Sequence, residues 1–373
     1  MKITKIQSVH NQLVSLANRL GPEAKLPTVK QLCRDLQVSV ATLDRCLQNL
    51  EFEHVIERKH GVGIFVSPFA GQKVVALASD CNLFQSNLPL FFRMFIEYMR
   101  NRAALGKMRI KFYLDFPTNE GEPPSYSDLE FDLNQRRVHG VILLDSGNFH
   151  IPGWLLHCST PCVAFSARDC FPWSVKINHV HLVELGVKLL LEQGCHRPIF
   201  LPPVYSNRET VDHIISIFHS GLAKFNPDIH SSWVLNPMQD VNATPSIQGC
   251  EELAYRAVMR FFEEREKFCG NLPDGLLSVD DALTPGAIQA LKKLGFRLGC
   301  DFWVATHINK GAFLPQAKED SLILLQIDLM QVVDRLWSQL ETLAVNQTPE
   351  DAVVWIEPQA IELPFKPKRD FKN

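Results

Sequence analysis

The sequence predicts an α/β chain, built as a small helical head followed by two larger lobes with parallel sheets. Three observations carry this. Between Leu26 and Val66, two short helical patterns and two short strand patterns follow one another closely. From Val74 onward, short apolar runs alternate with helix-length stretches. The 373 residues, 46% of them hydrophobic, are enough for two or three cores.

A leading helix carries Ile6, Val9, Leu13, Leu16 and Leu20 on one stripe, and Gly21-Pro22 ends it. Thr28 caps a short second helix with Val29, Leu32, Cys33 and Leu36 on one face. Gln37-Val38 makes a tight connection, and Ser39 caps a third helix with Leu43, Leu47 and Leu50 at helical spacing. Val55 to Arg58 and Ile64 to Val66 read as two strands joined through Lys59-His60-Gly61-Val62-Gly63. That order is a winged helix-turn-helix spanning residues 1–66. It offers one helix to a duplex groove and a basic hairpin tip beside it.

Charge agrees with the division. Net charge is −3, yet residues 1–70 hold nine Lys/Arg against six Asp/Glu, so the acidity lies in the remainder. A mildly basic head on an acidic body suits a small DNA reader joined to a soluble domain. The N-terminus lacks a signal-peptide core, and no run of roughly 18 apolar residues suggests a membrane span. The ten cysteines are scattered through expected helices and strands, which reads as buried thiols of a cytoplasmic protein.

From Ile6 to Val66 the pattern resembles the GntR family of bacterial repressors. Leu26-Pro27-Thr28 matches its helix opening, and Val38-Ser39 leads into its recognition helix. Leu50-Glu51 and Val55-Ile56 match the approach to its wing, which Gly61-Val62-Gly63-Ile64-Phe65-Val66 closes. The resemblance implies binding to double-stranded operator DNA. Ser39 and Thr42, at the start of the recognition helix, would meet phosphates, and Arg45 would reach a phosphate or a base edge. Thr28 and Lys30 would lie across the backbone. Arg58, Lys59 and His60 would supply positive charge to the adjacent groove, with Gly61 and Gly63 letting the wing approach. One departure stands out. Ala41 occupies the position where the family usually has an Arg, and Asp44 adds a charge that DNA repels.

Ser67 to Lys73 reads as a linker, and the body runs from 74 to 373. Strands are expected at Val74–Ala78, Arg109–Leu114, Val141–Leu144, Cys162–Phe165, Ile199–Leu201, Leu276–Val279, Phe302–Val304 and Leu322–Gln326. Helices are expected at Leu90–Ala104, Val180–Gln193, Glu251–Lys267 and Gly286–Leu294. About 300 residues is long for one such sheet, so two lobes are expected, with ligands at the carboxyl ends of the strands.

The stretch from Lys73 to Pro364 resembles the effector domain of the LacI/GalR repressors, which is periplasmic-binding-protein-like. Arg136 to Ile142, Thr160 to Val163, Glu192 to Arg197, Ser206 to Arg208 and Ser278 to Ala287 fall in that family's order. The resemblance implies a two-lobed domain that dimerises and binds a small sugar-like effector, and so a homodimeric repressor reading a palindromic operator. Asp281, Arg208 and Arg168 are the expected effector contacts, and Phe171 and Trp173 offer an apolar face to a sugar ring. Each has a plainer role open to it. Asp281 can cap the next helix, the arginines can pair with surface acids, and the aromatics can pack a hinge. Asn178 and the Ala305–Asn309 stretch stand where the family usually has acids, which argues against an ordinary hexose.

Other chemistry is thin. His157, Cys158 and Cys162 have loose metal-ligand spacing without a second close pair. His179 and His181 cannot share one helix face, and the adjacent acids Asp280 and Asp281 are too few to hold Mg²⁺. No nucleophile elbow, phosphate loop or dinucleotide fingerprint occurs, so no enzyme and no cofactor is expected. A sugar-acting enzyme with a DNA-targeting head, and a DNA-binding protein without effector, are the alternatives.

Overall fold

The structure is a computed structural model that describes residues 5–68, 70–80, 82–84, 88–115, 125–144, 151–165, 171–204, 208–228, 232–239, 247–263, 272–312 and 322–361. Its head comprises α1 (Lys5–Leu20), α2 (Val29–Asp35), α3 (Val40–Phe52), β1 (Ile56–Lys59) and β2 (Gly63–Val66). Along α1 the buried row is Val9, Leu13 and Ala17, while Leu20 at the end of the expected stripe is exposed. Leu13, Leu43 and Leu50 are fully buried against one another's helices. Each contributes on the order of 2 kcal/mol of hydrophobic stabilisation.

Both expected caps form. Thr28 accepts from the Gln31 backbone N–H, and the Gln31 side chain returns the bond to the Thr28 N–H, a reciprocal capping box. Ser39 accepts from the Thr42 N–H at 3.2 Å. Gln37 takes a φ of 51°, which turns the chain sharply between α2 and α3. The β1–β2 hairpin is antiparallel, with Ile56 opposite Val66 and Lys59 opposite Gly63. A third segment ties it down, since Leu26 N–H donates to Ile64 O and Val66 N–H to Ala24 O, both at 2.8 Å.

The expected linker is short and partly packed. Ser67 is buried and its N–H donates to Val55 O at 2.9 Å. The first strand of the body starts at Lys73, one residue inside the stretch expected to be linker.

The first lobe holds β3 (Lys73–Ser79), α4 (Leu90–Leu105), β4 (Met108–Leu114), α5 (Ser127–Asn134), β5 (Gly140–Leu144), α6 (Gly153–Leu156), β6 (Cys162–Phe165) and β7 (Ser174–Ile177). The second holds α7 (His179–Glu192), β8 (Pro198–Leu201), α8 (Arg208–Phe225), β9 (Trp233–Val234), α9 (Ile247–Glu263), β10 (Gly275–Ser278), α10 (Thr284–Lys293), β11 (Trp303–Asn309) and β12 (Ile323–Ile327). The chain then returns through α11 (Leu329–Ala344) and β13 (Val353–Ile356) to the first lobe, and ends with β14 (Gln359–Ile361) on the second.

Two six-stranded sheets result, ordered β13-β7-β6-β5-β3-β4 and β14-β12-β11-β10-β8-β9. Every described pairing in them is parallel except β12–β14. The fold is therefore the expected two-lobed, periplasmic-binding-protein-like α/β body behind a winged helix-turn-helix. Chain crossings follow β7, β12 and β13, so three neighbouring segments form the hinge. β5 is buried along its whole length, as a strand covered on both faces must be. One core cluster runs through both lobes and includes Leu77, Phe95, Phe200, Leu277 and Trp337.

Several elements depart from the sequence reading. β11 continues to Asn309 rather than stopping at Val304, because Thr306, His307 and Asn309 are buried polar residues that interrupt the apolar run. β7 is not expected from the sequence because Lys176, 2% exposed, breaks its pattern; its ammonium lies over the Trp355 ring at 5.6 Å. β9, β13 and β14 are short or partly exposed, and they gain strand character only from their neighbours.

Candidate nucleic-acid interface and effector cleft

On the head, Thr28, Lys30, Ser39, Arg45, Lys59, His60 and Gly61 are exposed, and Thr42 and Gly63 are half-buried. The Ser39 and Thr42 hydroxyls lie 2.9 Å apart at the start of α3, where backbone N–H groups are open to an anion. Gly61 has φ +71° and Gly63 φ +138°, so the wing tip uses backbone conformations that other residues rarely adopt. Lys59 and Lys25 flank the Phe65 ring at 5.0 and 5.7 Å, which places two cations at the base of the wing.

Arg58 has a second partner set that sequence reading missed. Its guanidinium reaches Asp44 Oδ1 at 2.8 Å, Asp44 O at 3.1 Å and Glu51 Oε2 at 3.3 Å. Gln48 also donates to Asp44, at 3.1 Å. Asp44 is therefore neutralised from the wing rather than left bare toward DNA. Between α3 and the wing lies an open groove of about 520 Å³, lined by Val29, Val40, Arg58, Lys59 and Val62 among others. Val40 and Val62 are 62% and 56% exposed. Such side chains suit the methyl group of thymine, and their exposure is not visible in an apolar pattern.

At the carboxyl ends of the second lobe's strands, buried polar groups converge. Asn309 Nδ2 donates to Asp281 Oδ2 at 3.0 Å. The N-cap of α10 is Leu283 and receives no side-chain bond, so Asp281 does not cap that helix. Ser278 and Thr284 hydroxyls donate to Asp280 O, both at 3.1 Å, and fix the turn that carries the two carboxylates. Thr284 and Thr306 hydroxyls sit 2.6 Å apart beneath it.

Burial pushes the Asp281 carboxyl up to about 6, against the opposing Asn309 bond. Burial, and then the Asp281 charge, push Asp280 up to about 7. His307 is pulled down to about 4 by burial, and His179 to about 4 by burial and the neighbouring His307. The cleft edge thus holds two neutral imidazoles and two carboxyls that gain a proton easily.

Asn178 does more than leave out an acid. Its side chain caps α7 and donates to both Glu357 oxygens, at 2.9 and 3.1 Å, and His181 Nδ1 bonds the same carboxylate. Burial raises the Glu357 carboxyl, but the Asn178 and His181 bonds together outweigh it and hold it below the usual value. The returning segment therefore supplies a carboxylate beside Asn178, 179 residues away in the chain and so invisible to local spacing.

Arg208 opens α8 with its side chain 95% exposed and Asp212 3.9 Å away. Trp173 is half-buried and packs on the shared core; Phe171 is 8% exposed in the first lobe's second core. Arg168 lies outside the described residues. Cys158 and Cys162 Sγ atoms are 3.3 Å apart, and both thiols donate to Thr160 O. Among the described residues no group of three or more His, Cys, Asp or Glu is placed to hold a metal ion. Nor is any helix there long and apolar enough to cross a membrane.

A winged helix-turn-helix with exposed caps, joined to two hinged α/β lobes, defines the class: a DNA-binding transcription regulator with a two-lobed α/β body. Residues 8–66 match the family of bacterial regulatory proteins described as gntR, so the head is a GntR helix-turn-helix. The body shares the fold of LacI-family regulators. A LacI family transcriptional regulator from Arthrobacter sp. FB24, solved in complex with lactose, is 17% identical with a TM-score of 0.54, covering 78% of this chain and 98% of that one. The lac repressor dimer bound to operator and the anti-inducer ONPF is 15% identical with a TM-score of 0.57, covering 78% and 93%. A LacI-family regulatory protein from Chloroflexus aggregans is 14% identical with a TM-score of 0.56, covering 78% and 96%. Among curated proteins none matches the chain. The family model of the head and the three solved structures named above are all described as regulators or repressors.

Proposed function

We propose that the chain is a cytoplasmic repressor that binds a palindromic operator as a homodimer and is released or recruited by a small polar effector held between the lobes. The observation that carries this is the pairing of a complete DNA-reading head with a hinged body whose cleft edge gathers Asp281, Asn309 and the Asn178–Glu357 pair. Carboxylates and side-chain amides recognise hydroxyl groups, so the effector class is a polyhydroxyl compound: a sugar, a polyol or a nucleoside. The related body solved with lactose supports that class. In the DNA complex, Thr28, Lys30, Ser39, Thr42, Arg45, Lys59, His60, Gly61 and Gly63 contact the duplex. Arg208 closes on the effector from α8, and Trp173 contributes to the hinge. Closure of the lobes would alter the spacing of the two heads and so shift operator affinity.

The test has two arms. A thermal-shift screen of sugars, polyols and nucleosides identifies a stabilising compound, and fluorescence anisotropy on DNA from upstream of its own coding sequence reads the effect on binding. A ligand at a hundredfold excess over its dissociation constant stabilises by about 2.7 kcal/mol. Salt-sensitive DNA binding that the hit alters, in the wild type but not in Asp281→Asn, is expected. DNA binding unaffected by any stabilising compound would overturn the effector half, and absence of salt-sensitive binding the DNA half.

A further inference from the structure

Where the head meets the first lobe, a cavity of about 450 Å³ opens between α1, the end of α3 and the starts of β3 and β4. Its ionisable lining is almost wholly basic: Arg109, Arg136 and Arg137, with His10, His54 and His139. The one carboxylate in the lining is Glu53, which His10 Nε2 already engages at 2.8 Å. Five side-chain amides complete the polar wall.

Three further observations point to an anion-binding role. Arg137 Nε, an obligatory donor, is buried and has no hydrogen-bond partner among the described residues. Arg136 forms no ion pair among those residues. The His54 imidazole is held below its usual value, first by burial and then by the charges of Arg109 and Lys111, so the local field is positive. Arg137 is partly neutralised through Asp132, 3.3 Å away, but that bond uses Nη1 and leaves Nε open.

We infer that this cavity is a second ligand site, which takes a small phosphorylated metabolite. Guanidinium forks match the oxygens of a phosphate monoester, and side-chain amides match hydroxyls on its carrier. The space exceeds what bare phosphate fills. Operator DNA is not the occupant, because the cavity is lined neither by the start of α3 nor by the wing. His10 and His54 belong to the head, whereas Arg109 and Arg136 belong to the body. A bound phosphate ester therefore bridges the two and fixes the orientation of the head.

Isothermal titration calorimetry of the full chain tests this, with glucose 6-phosphate, inorganic phosphate and glucose as probes. Glucose 6-phosphate is expected to saturate one site per chain, inorganic phosphate to bind more weakly, and glucose to leave the site empty. Arg136→Gln and Arg109→Gln should each weaken the phosphate ester by about tenfold or more, as loss of a charge-assisted fork requires. Arg136→Lys, which keeps the charge without the fork, should recover only part of the affinity lost in Arg136→Gln, and an unchanged thermal midpoint in Arg136→Gln excludes a folding defect as the cause. Asp281→Asn should leave it unchanged. No saturable heat up to about 10 mM ester, weaker than any useful affinity, would overturn the inference. So would ester binding lost in Asp281→Asn but kept in Arg136→Gln, which would place the anion between the lobes. Equal dependence of operator affinity on Arg109 and Arg136 in ester-free buffer would also overturn it, by assigning the arginines to nucleic acid.

Discussion

The Arg58 guanidinium lies 2.8 Å from the Asp44 carboxylate, so a residue of the wing neutralises the acid on the recognition helix. Both side chains are substantially exposed, and the pair contributes no more than about 1 kcal/mol to stability. Its larger consequence is electrostatic. At the proposed interface, Arg58→Gln removes a cation and also uncovers the Asp44 carboxylate, whereas Lys59→Gln only removes a cation. Arg58→Gln should therefore weaken operator binding more than Lys59→Gln, and Arg58→Gln/Asp44→Asn should recover most of the difference. Anisotropy titrations at several salt concentrations check the order, because the salt slope shrinks by about 1 for each phosphate that a side chain no longer neutralises. Equal weakening in the two single variants would mean that Asp44 stays neutralised without Arg58.

That pair shows why the head was largely legible in the sequence and its interface only in part. Thr28, Ser39 and the wing glycines act on neighbours within a few residues, and local spacing reveals them. Arg58 and Asp44 are 14 residues apart and meet only once the wing folds back on α3. In the body, apolar strands such as Val141–Leu144 announced themselves. β7 did not, because Lys176 is buried inside it, and β13 did not, because its partner lies in a sheet that the chain had left far earlier. At the cleft, the place of Asp281 just after a strand is legible in the local sequence. Asn309 and Glu357 are not legible there, since an amide in place of an acid carries no local signal and the carboxylate comes from a segment 179 residues beyond Asn178.

Gly286 tests the packing that holds the cleft turn. A Cβ built there would lie 1.8 Å from Glu251 O and 2.6 Å from Glu251 C, so backbone rather than a flexible side chain blocks it. α9 and α10 would have to separate. Gly286→Ala should destabilise the second lobe by roughly 3 kcal/mol or more, in the range of severe core strain. Gly153→Ala is the control, because nothing lies within 4 Å of its Cβ and its φ is not positive. That change should be neutral or stabilise by about 0.5 kcal/mol. Urea unfolding of both variants decides it, and similar midpoints would refute the close approach of the two helices.

The four recessed ionisable groups at the cleft predict a pH profile with opposing parts. Asp280 and Asp281 titrate at about 7 and about 6 in the folded chain, above the unfolded carboxyl value, so the folded state holds extra protons between about pH 4 and 7. Their contribution to stability therefore falls as pH rises through that window. His179 and His307 titrate at about 4, below the unfolded imidazole value, so the folded state holds fewer protons and their contribution rises from about pH 4 to 6.5. The two pairs offset each other in the wild type. His307→Gln should expose a steady loss of stability between about pH 4.5 and 7, and Asp281→Asn a steady gain between about 4.5 and 6.5, within the same windows. Denaturant midpoints at several pH values test this; profiles parallel to the wild type in both variants would sink it.

Phe52, at the end of α3, is 55% exposed, yet the Arg137 guanidinium of the first lobe sits 3.8 Å from its ring centroid. Phe131 lies on the other flank of Arg137 at 5.4 Å, and Asp132 anchors the same guanidinium while accepting from Tyr113 at 2.7 Å. Because so much of Phe52 faces solvent, its truncation removes little buried surface and should hardly alter the unfolding of either domain. What it removes is a cation–π contact worth about 0.5–1 kcal/mol at a half-open site, which amounts to a several-fold shift toward an undocked head. Phe52→Ala should therefore leave the thermal midpoint within about 2 °C of wild type, as a change well under 1 kcal/mol at the melting point implies. It should at the same time speed proteolytic cleavage in residues 67–72 several-fold. Phe52→Tyr, which keeps an aromatic face for Arg137, should cleave at the wild-type rate. Unchanged cleavage in Phe52→Ala would show that the head is held by contacts other than Arg137, and a large fall in midpoint would show that Phe52 belongs to the core of the head instead.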